Sequence, residues 1–112
     1  MQATVIYTGR GSVSFPFNIP CKDLDQKDEF ADMVWDALNN PESHALQSLK
    51  VRSMSIGDLI LFPDATFYVA VNYGWRSLGR EEAIEWQKTI NSAITDPSKR
   101  EWAIKEDFAK NI

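Results

Sequence analysis

The sequence holds a single cysteine, Cys21, and a single histidine, His44. The first excludes an internal disulfide and a metal centre built on several thiolates, so a reducing cytoplasm is the expected compartment. The second leaves little for nucleophilic catalysis, because a serine or cysteine nucleophile is ordinarily activated by a histidine base. His44 follows Asn-Asn-Pro-Glu-Ser in what reads as a loop, where a solvated ring is the simplest expectation. A GxGxxG run, a Walker loop and an HExxH pair are also missing. Carboxylates are plentiful but fall on a helix surface, and nothing sets two of them in the contrasting environments that acid–base catalysis needs. The expectation is therefore no catalytic residue, no cofactor and no metal. No apolar stretch approaches the ~20 residues needed to span a bilayer, and Met1 to Tyr7 has neither a basic start nor an apolar run long enough for a signal peptide.

Positive charge is in the minority as well: 12 Lys and Arg face 16 Asp and Glu, for a net charge of −4. Nucleic-acid binders usually show the opposite balance, since neutralising phosphates supplies most of their affinity. Direct nucleic-acid binding is thus not the first expectation, and an acidic surface suits partners with basic faces.

What is present is ordinary globular material. The chain has 112 residues, 44% of them hydrophobic, enough for one domain over 1–112 that buries roughly 65% of its unfolded surface. Residues 3–8, Ala-Thr-Val-Ile-Tyr-Thr, are β-formers stopped by Gly9-Arg10-Gly11-Ser12. Val13-Ser14-Phe15-Pro16-Phe17 alternates, and Pro16 confines it to an edge strand, so the two predict a hairpin.

From Asp25 to Asn40 the period changes: Phe30, Met33, Val34, Ala37 and Leu38 fall on one face of a helix. Asp25 is the expected N-cap, and Asn39-Asn40-Pro41 ends the helix. Residues 42–49 read equally as a helical turn or a loop. Asp58 to Phe62 and Thr66 to Asn72 are apolar at nearly every position, joined by Pro63-Asp64-Ala65. They predict a central hairpin covered on both faces. After Tyr73-Gly74-Trp75-Arg76, a helix over Arg80 to Thr95 carries the stripe Ala83, Trp86, Ile90, Ala93 and Ile94. A third runs to Lys110 with a Ser98/Glu101 capping box and buries Trp102, Phe108 and Ile104. The predicted fold is α+β: a small antiparallel sheet of two hairpins packed with about three helices.

Three segments are candidates for function. In the first helix Asp28, Asp32 and Asp36 recur every four residues, with Asp25 and Glu29 beside them. Like charges at that spacing repel by a few tenths of a kcal/mol per pair. A solvated outer face is one reading. The other is mimicry of a nucleic-acid strand, because four helical residues rise about 6 Å, near the separation of successive phosphates. The second segment is Tyr73-Gly74-Trp75-Arg76, where Tyr, Trp and Arg are typical interface anchors and Gly74 suggests a positive φ or a close approach. Its alternative role is closure of the core by Trp75. The third is Arg52-Ser53-Met54-Ser55-Ile56-Gly57-Asp58, a strand-entry turn in which Asp58 is expected to cap backbone N–H groups.

The last two segments together resemble a known core. Val51-Arg52-Ser53-Met54-Ser55-Ile56-Gly57-Asp58-Leu59-Ile60, then Phe67-Tyr68-Val69 and Gly74-Trp75, are similar to the R-S-L-S-V-G-D-V-V, Y-Y-V and G-F/W elements of YodL-like small domains. The similarity covers roughly residues 30–78, with Ala37 to Glu42 resembling the segment that often precedes that core. Met54, Ile56 and Leu59 are conservative variants, and Asn72-Tyr73 stands where the pattern often has Ser or Gly. No activity attaches to the family, so the resemblance carries over no catalytic residue. It implies a setting: an accessory gene of a phage or mobile element, active in the cytoplasm of a bacterial host.

Two functional expectations follow. The first is a non-enzymatic module that binds a host protein or complex, such as a defence nuclease or CRISPR-type assembly with a basic nucleic-acid channel. Its contacts would come from Asp25, Asp28, Glu29, Asp32, Asp36, Tyr73, Trp75 and Arg76. The alternative is a small nucleic-acid binder using Arg10, Lys50, Arg52, Arg76 and Arg80, with single strands stacking on Tyr73 or Trp75.

Overall fold

The computed structural model describes residues 2–9, 12–18, 26–72, 74–94 and 100–110, with the side chains of Ala45 and Trp102 excepted. Among the described residues, five strands form one antiparallel sheet, and four helices pack around it: β1 (Gln2–Tyr7), β2 (Val13–Asn18), α1 (Lys27–Asn39), α2 (His44–Leu49), β3 (Leu59–Leu61), β4 (Phe67–Val71), β5 (Gly74–Leu78), α3 (Arg80–Ala93) and α4 (Glu101–Ala109). The spatial order is β2-β1-β3-β4-β5. The two predicted hairpins therefore join through β1 and β3, with Val5 opposite Ile60. Pro16 lies on edge strand β2, where its missing N–H breaks no second ladder.

Alternation along the strands divides the core in two. Ala3, Val5, Tyr7 and Ile60 face Phe30, Ala31, Val34 and Leu38 of α1. Leu59, Phe67, Val69 and Leu78 face Ala83, Trp86 and Ile90 of α3, with Ile104 and Ala109 of α4. Both faces of the central hairpin are thus covered, as its unbroken apolar sequence predicts.

Several elements differ from the sequence expectation. Residues 74–76, expected to lie before the next helix as a separate surface, begin strand β5, which pairs with β4 from Phe67↔Leu78 to Val71↔Gly74. Residues 44–49 are helical, because Ser43 caps the turn by accepting from the Leu46 N–H at 3.1 Å. Helix α1 starts at Lys27 with Gln26 as N-cap, and Asp25 lies outside the described residues. Met33 is 43% exposed, since α1 turns small Ala31 rather than Met33 onto the sheet. Helix α4 starts at Glu101 with Arg100 as N-cap, so Glu101 is not the third residue of a Ser98 box. Ser98, like Cys21, lies outside the described residues. A reciprocal carboxylate contact occurs at α3 instead, where Glu82 accepts from the Gly79 N–H at 3.2 Å. Of the residues expected to be buried by the last helix, Ile104 is buried and Phe108 half-buried. The side chain of Trp102 lies outside the description. The residue beside Ile104, Lys105, is fully buried.

Candidate functional site

The Arg52–Asp58 run folds into a closed clasp around one carboxylate. Asp58 is 0% exposed. Its Oδ2 accepts from the Ser55 N–H at 2.8 Å and from Arg52 Nη1 at 2.8 Å. Its Oδ1 accepts from Arg52 Nη2 at 2.9 Å, from the Thr8 N–H at 2.9 Å and from Lys105 Nζ at 2.7 Å. Two carboxylate oxygens offer about four lone-pair positions, and all are taken. The local part of this set, Ser55 and Arg52, is what the spacing of the run encodes. Gly57 is needed because its φ is +92° and a Cβ there would meet Lys105 Cε at 2.7 Å. Its carbonyl accepts from Trp86 Nε1 at 2.9 Å and from Thr8 Oγ1 at 2.8 Å, which ties α3 and β1 to the same turn.

The cations of the clasp differ. Arg52 is part-exposed, lies 4.2 Å over the Tyr7 ring centroid and donates to the Thr8 carbonyl at 3.3 Å. The Tyr7 hydroxyl donates to the Arg52 carbonyl at 2.8 Å. Lys105 is enclosed, and its Nζ also reaches Ser55 Oγ at 3.1 Å and the Thr8 carbonyl at 3.4 Å. With Asp58 that gives three acceptors, matching the three donors of an ammonium. Burial alone would raise the Asp58 pKa, but the Arg52 hydrogen bonds and the charges of Lys105 and Arg52 hold it below the usual carboxylate value. Burial lowers the Lys105 pKa despite the attraction of Asp58. Burial, then the charge of Asp58, pushes the Tyr7 hydroxyl up to about 12. The sequence pointed to Asp58 as a local cap and missed Lys105, which sits 47 residues away.

The second constellation lies on the outer side of α1. Asp28, Glu29, Asp32 and Asp36 are all exposed. The structure brings this stripe to the aromatic residues of the sheet, which the sequence treated as a separate surface. Trp75 Nε1 of β5 donates to Asp32 Oδ1 at 3.0 Å. Burial, then a hydrogen bond to Asp28 and its charge, pushes the Tyr68 hydroxyl up to about 12. Next to Asp28 in the chain and on the side of the β3–β4 turn, Lys27 pairs with Asp64 at 2.5 Å. Asp32 therefore accepts from a sheet aromatic and Asp28 faces the Tyr68 hydroxyl, which offsets part of the stripe's mutual repulsion. Glu29 and Asp36 have no side-chain partner among the described residues.

Trp75 is half-buried, edge-on to Trp35 at 6.2 Å and 84° and stacked near Tyr68 at 6.4 Å and 30°. Asp32, Trp35, Val71, Asn72, Gly74 and Trp75 line a shallow pocket of about 230 Å³. Gly74 has φ +129° with nothing within 4 Å of a Cβ position, so conformation rather than close approach selects glycine there. Arg76 is exposed on edge strand β5, and Tyr73 lies outside the described residues.

The other candidates are dispersed. His44 opens α2, not a loop, and its Nε2 lies 3.3 Å from Ser48 Oγ at the surface, with no carboxylate bonded to the ring among the described residues. Of the basic set, Arg52 is held in the clasp, Lys50 and Arg80 are exposed on separate elements, and Arg10 lies outside the described residues. No described helix is long and apolar enough to cross a membrane. Compared with protein-family models, curated proteins and solved structures, the chain has no match.

Proposed function

We propose that this protein is a non-enzymatic binding module that engages a host protein through the acidic face of α1 and the adjoining Trp75 surface. The observation that carries the reading is the continuity of the two: Asp32 and Trp75 are hydrogen-bonded, so exposed carboxylates and half-buried aromatics form a single face. Aromatic anchors rimmed by charge are the residue types that dominate protein interfaces. Glu29 and Asp36 give the fold no visible return for their charge, which favours a use outside the molecule. The setting is an accessory protein of a phage or mobile element in a bacterial cytoplasm. The target class is a defence nuclease or CRISPR-type complex whose basic channel the face would occupy.

The test uses Glu29→Lys combined with Asp36→Lys, because neither side chain is tied to the sheet. Wild type and variant are immobilised side by side and exposed to host lysate, with bound proteins identified by mass spectrometry. The expected result is a partner captured by wild type and lost by the variant, with unchanged circular dichroism and unfolding midpoint. The captured partner is then assayed for DNA cleavage with the protein in excess. Equal capture by the variant overturns the acidic-face reading, and undiminished cleavage overturns inhibition.

A further inference from the structure

The pocket at the junction of α1 and β5 has a chemistry of its own. Its walls are two indoles set 84° apart at 6.2 Å, which makes an open corner rather than a closed stack. Its rim carries the Asp32 carboxylate, whose Oδ1 is fixed by Trp75 Nε1. Oδ2 has no partner among the described residues. Asp28 and Asp36 stand one helical turn to either side, so the local field favours a cation. Gly74 leaves the mouth open. The nearest cation in sequence, Arg76, alternates to the opposite face of the sheet, and Lys27 is engaged with Asp64.

A cation over an indole face is attracted by the ring quadrupole, most strongly for tryptophan. A guanidinium meets both features at once: its plane lies flat on an indole while an edge N–H donates to the free carboxylate oxygen. A lysine ammonium is more strongly hydrated and has no flat face to offer the ring. The volume of about 230 Å³ suits one side chain rather than a folded segment.

We propose that Trp35, Trp75 and Asp32 form a receptor for a single arginine side chain presented by the partner. The inference rests on the protein-binding reading above and supplies its anchoring contact.

The test needs no partner. The protein is labelled with nitrogen-15 and titrated with N-acetyl-arginine amide while the tryptophan indole N–H signals are followed. The signals of Trp75 and Trp35 should move with a Kd on the order of 10 mM, as a few weak contacts allow. That of Trp86, whose Nε1 is held by the Gly57 carbonyl on the other side of the sheet, should stay still. The citrulline amide has the same shape without the charge and should leave all signals in place. Asp32→Asn keeps an oxygen for Trp75 Nε1 and should weaken binding about threefold. Trp75→Phe, retaining a ring, should weaken it by about the same factor. Equal shifts with citrulline, or none with arginine, overturn the receptor. Binding of trimethyl-lysine amide about tenfold tighter than arginine overturns the choice of occupant. If arginine fails here but Glu29→Lys with Asp36→Lys abolishes capture, the module reading stands without the receptor. If arginine binds and capture is unchanged, the receptor stands without that face.

Discussion

Replacing Asp58 by Asn probes the centre of the fold with almost no change of shape. The amide keeps one acceptor oxygen, for either the Ser55 or the Thr8 N–H, which bond different oxygens of the carboxylate, and it no longer neutralises Lys105, which is 0% exposed. An uncompensated buried charge costs about 3–5 kcal/mol. In a domain of this size that corresponds to a Tm loss of roughly 12–24 °C at the lower figure. Lys105→Met is the milder change. It keeps the aliphatic stem and leaves Asp58 with both Arg52 nitrogens, so the loss is about 1–2 kcal/mol. The informative variant is the pair. With Asp58→Asn and Lys105→Met combined, no buried charge remains unpaired, and Arg52, 38% exposed, is free to turn to solvent. The double variant should then be more stable than Asp58→Asn alone by at least about 1 kcal/mol. Urea unfolding followed by tryptophan fluorescence and circular dichroism measures all three, with coincident transitions required for the comparison. If the two losses simply add, the claim that Lys105 is held as an ion by Asp58 is wrong.

Two further outcomes follow from the same clasp. Gly57→Ala forces a side chain into φ +92° and against Lys105 Cε at 2.7 Å. It should cost about 1–3 kcal/mol, against a smaller loss for Gly74→Ala, where the space is open; equal losses in urea unfolding would refute the steric part. For pH, the folded Asp58 pKa lies below its ordinary 3.8, so its contribution is complete above that value and lost as the pH falls below it. The Asp58 carboxyl-carbon NMR signal should therefore stay constant on acidification down to about pH 4, and a transition above that contradicts the assignment.

How much of this was legible beforehand depended on sequence distance. The cap at Asp58 was readable because Ser55 is three residues away and a Ser-x-Gly-Asp turn has few ways to satisfy its N–H groups. Lys105 was not, since a lysine beside an apolar stripe is by default a surface residue and its partner lies on another element. Strand β5 was hidden by its own start: Gly74 reads as a loop signal, and only the inward Leu78 betrays the strand. Helix α2 was left open between a helical turn and a loop, because Asn40-Pro41 precedes it, and the Ser43 cap settles it as a helix. In α1 the helix was plain, but its rotation was not, because Ala31 carries too little apolar weight to outvote Met33.

The division of labour between the two constellations also bears on function. The Arg-Ser-x-Ser-x-Gly-Asp run looks like a functional motif, yet its polar groups are spent on one another: Arg52, Ser55 and Asp58 are bonded together, and the Gly57 carbonyl serves Thr8 and Trp86. A run closed in this way fixes how β1, α3 and α4 meet and has little left for a ligand. The outer face of α1 is the reverse case. Its charges repel one another, the sheet relieves that at Asp28 and Asp32 through Tyr68 and Trp75, and nothing among the described residues relieves it at Glu29 and Asp36. A substitution in the clasp should therefore change stability and leave surface chemistry intact, while one at Glu29 or Asp36 should do the opposite. That opposition, rather than either residue set alone, separates what holds this protein together from what it offers to a partner.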